Sequence, residues 1–66
     1  MDVNNNVMRT NYRALTDDEA TLMRQVKNAG QELWELVDGI GQSRELSLAK
    51  TKVEEAVMWV TKHITA

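Results

Sequence analysis

The chain has 66 residues, no cysteine, no proline and a formal net charge of -2, and 42% of its residues are hydrophobic. A chain of this length is one domain and buries only about 60% of its unfolded surface. The acidic balance argues against a duplex-DNA binder, whose phosphate contacts need a basic surface. A lack of cysteine and a single histidine, His63, exclude a disulfide framework and a thiolate or polyhistidine metal site within one chain. No metal and no cofactor are expected. No run of 18 apolar residues occurs, so no membrane span is expected. The polar start Met1-Asp2-Val3-Asn4 lacks the features of a secretory signal. The expectation is an intracellular protein.

Residues 1–15 read as an N-terminal arm or short helix. Asn4, Asn5, Asn6 and Asn11 favour local side-chain-to-backbone hydrogen bonds over regular structure. Val7, Met8, Tyr12 and Leu15 give the segment something to dock, and Arg9 and Arg13 place cations on either side of Tyr12.

Residues 16–66 read as a helical hairpin. Thr16-Asp17-Asp18-Glu19 has the spacing of a capping box, with three carboxylates where the helix dipole favours negative charge. Leu22, Val26, Ala29, Leu33, Leu36 and Ile40 then recur at alternating spacings of four and three, a 3.5-residue seam that no strand would show. Gly39 and Gly41 are expected to stop this helix. A second helix starts near Gln42 or Ser43. Its matching seam is Leu46, Ala49, Val53, Ala56, Val60 and His63, widened by Val57 and Ile64. Helices of roughly 20 residues joined by a short Gly-bearing turn predict an antiparallel pair.

The hairpin has more apolar surface than one seam can cover. Met23, Gly30, Trp34 and Val37 lie beside the seam on the first helix, and Leu48, Met58 and Trp59 beside it on the second. The fold class is therefore all-α: a short N-terminal helix or arm and an antiparallel two-helix hairpin, completed by homo-oligomerisation.

Gly30 costs roughly 1 kcal/mol relative to alanine inside a helix, so something is expected to approach it closely: a neighbouring helix backbone or a bulky ligand. Lys27 lies three residues earlier and faces nearly the same way. Its ammonium suits an anion beside that notch, and equally its stem could cover apolar surface. Charge is uneven: residues 17–43 set Arg24 and Lys27 against six carboxylates, whereas the arm is basic.

No catalytic set is visible. Glu54 and Glu55 are adjacent and diverge by about 100° on a helix. Glu32 and Glu35 read as solvent-facing or ion-paired, and His63 as a capping or packing group. Gly39-Ile40-Gly41-Gln42-Ser43 lacks the lysine and spacing of a phosphate loop. An enzyme is not expected.

Ser43-Arg44-Glu45, Ser47-Leu48-Ala49, Thr51 and Glu54-Glu55-Ala56-Val57-Met58-Trp59 resemble the helical hairpin of small phage anti-CBASS sponges, to which anti-Thoeris sponges are related. CBASS is a bacterial antiphage system that signals through cyclic oligonucleotides. The resemblance implies a homo-hexamer that binds cyclic dinucleotides between subunits in the cytoplasm of the infected host. The ligand is held without cleavage, so the host effector is starved of its signal.

The resemblance also implies an aromatic near the N-terminus that stacks on a base and a lysine on the first long helix that meets the phosphates. By position these are Tyr12 and Lys27. Gly30 as the notch and Arg9 and Arg13 as the arm's cations complete the expected dinucleotide set. In some members of the resembled family, a second pocket for cyclic trinucleotides uses a basic residue and a threonine on the second helix. Thr51 matches the threonine, but Ser47, one turn earlier, is not basic. Arg44, a further turn away, is the alternative cation. Two other classes compete with the sponge: a protein-interaction module docking through Trp34, Met58 or Trp59, and a minimal nucleotide-processing enzyme with an intersubunit site.

Overall fold

A computed structural model describes residues 14–66. The predicted arm, with Arg9, Tyr12 and Arg13, lies outside the described residues except for its last two positions. Two helices form the fold: α1, Asp17–Ile40, and α2, Arg44–Ile64. They run antiparallel, and their principal extents of 45 × 26 × 11 Å describe a thin slab with almost no interior.

Local chemistry sets the ends. Thr16 Oγ1 accepts from the Glu19 amide at 3.1 Å, and Glu19 Oε1 accepts from the Thr16 amide at 3.0 Å. This is the reciprocal capping box read from the sequence. Ser43 caps α2, its Oγ accepting from the Leu46 amide at 3.0 Å. Lys62 lies in the last turn of α2, where a cation complements the helix dipole. Of the two glycines expected to stop α1, only Gly41 does so. Its φ of 153° is a conformation that side-chain-bearing residues rarely adopt, whereas Gly39 lies within the helix.

The intrachain seam differs from the expected one. Beyond Glu19 and Ala20 in its first turns, the half-buried positions on α1 are Met23, Val26, Gly30, Trp34 and Val37, and those on α2 are Leu46, Ala49, Lys50, Val53, Val57 and Thr61, with Ile64 buried. The stripe read as secondary on α1 is thus the one that meets α2. The contact is centred about 80° around α1 from the Leu22–Ile40 stripe, taking 100° per residue. Of the seam expected on α2, Leu46, Ala49 and Val53 face inward, while Ala56, Val60 and His63 are exposed.

Gly30 explains the choice. A Cβ at this position would overlap a γ-methyl of Val57. The Val57 side chain packs where α1 has no side chain, and in that arrangement Trp34 and Met23 turn inward and the leucines outward. Of the two occupants expected at the notch, the neighbouring helix is the one that meets it, with the Val57 side chain rather than its backbone.

Ile64, 5% exposed, is the one buried residue among those described. Leu33 is 49% exposed, and Leu36 and Ile40 are each 67% exposed. On that side the two helices enclose an apolar groove of about 380 Å³, walled by Val26, Ala29, Leu33, Ala56 and Val60. No helix among the described residues is long and apolar enough to cross a membrane.

Candidate functional site

The opposite side of the slab is built differently. Lys27, Gly30, Gln31 and Trp34 follow one another at spacings of three, one and three on α1, so they share one helix face. Val53, Glu54 and Val57 face them from α2. Together they line an open cleft of about 500 Å³, within the size range of small-molecule sites. The floor is apolar and carries the Gly30–Val57 contact. The rim carries one cation, one amide and one carboxylate.

A chain of contacts crosses the helices at the Trp34–Glu54 wall of this cleft. The Trp34 indole Nε1–H donates to Glu54 Oε2 at 3.1 Å. Lys50 Nζ lies 5.0 Å from the Trp34 ring centroid, a cation–π distance. The same ammonium donates to Asp38 Oδ1 at 2.8 Å. Trp34 is therefore held at its edge by α2 and covered on its ring by a paired lysine. Next to it, Gln31 Nε2 donates to Glu35 Oε2 at 2.7 Å.

Two expected dinucleotide residues, Lys27 and Gly30, stand together in this cleft. Tyr12, Arg9 and Arg13 lie outside the described residues. The positions suggested for a trinucleotide pocket, Arg44, Ser47 and Thr51, are exposed and share one face of α2 by their spacing, and none of them lines the cleft. The Thr51 hydroxyl donates to the Ser47 carbonyl at 3.2 Å, which leaves its oxygen free to accept. Met58 and Trp59 are exposed, as docking residues would be, but Trp34 is half-buried.

The sequence reading missed Gln31, Trp34 and Glu54 as members of the cleft. The first two carry a signal at helical spacing from Lys27. Glu54 carries none without the register of the hairpin, because it sits 27 residues away from Lys27 in the chain and meets the cleft only across the α1–α2 contact.

No group of three or more His, Cys, Asp or Glu among the described residues is placed to hold a metal ion. A family model described as Acb2/Tad1, hairpin domain, matches residues 4–65. The chain belongs to the Acb2/Tad1 hairpin family. Neither a curated protein nor a solved structure matches it. The Acb2/Tad1 family comprises phage anti-CBASS and anti-Thoeris sponges, and membership carries a non-enzymatic, nucleotide-sequestering role in immune evasion. The family binds cyclic dinucleotides, oligomerises and acts inside infected bacteria.

Proposed function

We propose that this chain captures cyclic dinucleotides in the Lys27–Trp34 cleft and withholds them, intact, from a CBASS effector in the host cytoplasm. The observation that carries the reading is the cleft itself: a lysine beside a half-buried tryptophan over an apolar floor, in a member of a nucleotide-sequestering family. Lys27 supplies a charge-assisted hydrogen bond to a phosphate oxygen. Tyr12 stacks on a base, a contact worth about 1–3 kcal/mol, and Arg9 and Arg13 add positive charge for the phosphates. Gly30 keeps the floor flat by admitting Val57. Sequestration asks only for affinity and slow release, and no bond need break.

The unit that acts is a homo-hexamer, assembled through the exposed face of Leu22, Leu33, Leu36, Ile40 and Val60. These side chains have no partner helix in the hairpin, yet on α1 they keep the 3.5-residue repeat that packs one helix on another. Arg44, Ser47 and Thr51 form a weaker second site, for cyclic trinucleotides, on the outer face of α2.

Native mass spectrometry with a mixed panel of cyclic di- and trinucleotides tests the reading. The expected result is a hexamer retaining intact dinucleotides. Tyr12→Ala and Lys27→Ala are each expected to weaken binding by about tenfold while leaving the assembled mass unchanged. A monomer or dimer that retains no nucleotide at micromolar concentration overturns the proposal.

A further inference from the structure

Resting on the dinucleotide reading above, we propose that Glu54 selects the base, favouring guanine over adenine, with Trp34 as its positioning residue. Glu54 is the single acidic side chain in the cleft lining. A carboxylate in a site for a phosphodiester repels the ligand's own charge. It is tolerated there if it accepts hydrogen bonds that the ligand donates. The cleft is polarised to suit that division: Lys27 stands on α1 and Glu54 on α2, so phosphate and base edge meet opposite walls.

The carboxylate is also aimed. The Trp34 indole donates to Oε2 at 3.1 Å, and a carboxylate offers about four lone-pair sites, so both oxygens can still accept. The indole is held in turn, because Lys50 lies 5.0 Å from its ring centroid and Asp38 fixes Lys50 at 2.8 Å. The Lys50 side chain is only 18% exposed. The series Asp38, Lys50, Trp34, Glu54 alternates between helices, so the acceptor is held by both of them.

Guanine presents two adjacent donors on its Watson–Crick edge, N1–H and the exocyclic amino group. They match the two oxygens of one carboxylate. Adenine presents one donor beside an acceptor nitrogen, whose lone pair faces the second oxygen and is repelled. A glutamine amide reverses the match, since its donor and acceptor pair with the acceptor and donor of adenine.

The test is calorimetric titration of the full chain with cyclic di-GMP and cyclic di-AMP separately. The native protein is expected to favour cyclic di-GMP by about tenfold. Glu54→Gln is expected to shift the affinity ratio at least about tenfold toward cyclic di-AMP. Trp34→Phe, which keeps an aromatic ring but removes the indole N–H, is expected to bind both ligands with a compressed ratio. A purely structural role for Trp34 would weaken both ligands alike and leave the ratio unchanged. A native preference for adenine, or a ratio unaltered by Glu54→Gln, overturns base selection and leaves dinucleotide capture standing. Binding of neither ligand by the native protein overturns both.

Discussion

The two broad faces of the hairpin are made by the same two helices and share the Gly30–Val57 contact, yet their chemistry is opposed. One carries Lys27, Gln31 and Glu54 around an open cleft. The other carries Leu33, Ala29 and Val60 around an apolar groove and continues to Leu36 and Ile40. The difference follows from rotating α1 so that Gly30, not its leucines, meets α2. Burying the leucines within the hairpin would leave α1 only Met23, Trp34 and Val37 as large apolar surface for another subunit. Burying the glycine stripe leaves one face to hold the assembly together and the other to recognise a ligand.

The sharpest way to break this division is to charge the apolar face. Leu33→Glu with Leu36→Glu removes two side chains that are 49% and 67% exposed, and burying what remains exposed between subunits is worth about 2–4 kcal/mol together. That corresponds to a rise on the order of 10–10³ in the assembly's dissociation constant. Sedimentation velocity is expected to show the variant as a monomer at concentrations where the native chain is assembled. A native-like sedimentation coefficient would remove this face from the interface. Neither side chain belongs to the cleft lining, so the change tests the two faces separately.

Gly30→Ala strikes the contact that both faces share. The added methyl gains about 1 kcal/mol of helix propensity. It also overlaps the Val57 γ-methyl, and overpacking of this kind costs typically about 1–3 kcal/mol. The expected outcome is a net loss of up to about 2 kcal/mol, read as a lowered thermal midpoint. Val57→Ala in the Gly30→Ala background is expected to recover part of that loss, because it removes the atom that is struck. A Gly30→Ala protein more stable than the native chain would show that the helices do not meet here.

The elements were legible because their signals are local. Thr16 and Glu19 state the start of α1 within four residues, Gly41 states the turn, and the 3.5-residue spacing excludes strands without any knowledge of a partner. The facing stripe was not legible, because α1 presents two neighbouring apolar stripes with nearly the same period. Large aliphatic side chains mark Leu22–Ile40 as the expected core, yet shape decides for the stripe with the glycine. Lys27 and Gly30 could be placed together from their spacing on one helix. Glu54 could not be, since its place opposite Lys27 depends on which stripe α2 packs against. The same error in facing stripe left Trp34 looking like an exposed docking residue when it is a half-buried wall of the cleft.

The smallest expected effect separates the two tryptophans, one per helix, each with a lysine over its ring. Lys50 lies 5.0 Å from the Trp34 centroid and is paired with Asp38, whereas Lys62 lies 5.5 Å from the Trp59 centroid. Trp59 is 58% exposed, but Trp34 is half-buried and bonded to Glu54. A methionine in place of either lysine keeps most of the aliphatic stem and removes the charge. At Lys62 the lost cation–π contact is solvated, and the expected change in stability is below about 0.5 kcal/mol. At Lys50 the same contact is combined with an ion pair whose lysine is only 18% exposed. Asp38 is 45% exposed, so losing its partner leaves a carboxylate that water can still solvate. The expected cost is therefore up to about 1 kcal/mol, measured by parallel urea titrations of the two variants. Equal costs would mean that Lys50 is no more engaged than a surface lysine. A larger loss for Lys50→Met would show that the wall of the cleft is held in place from α2, as the Asp38–Lys50–Trp34–Glu54 series requires.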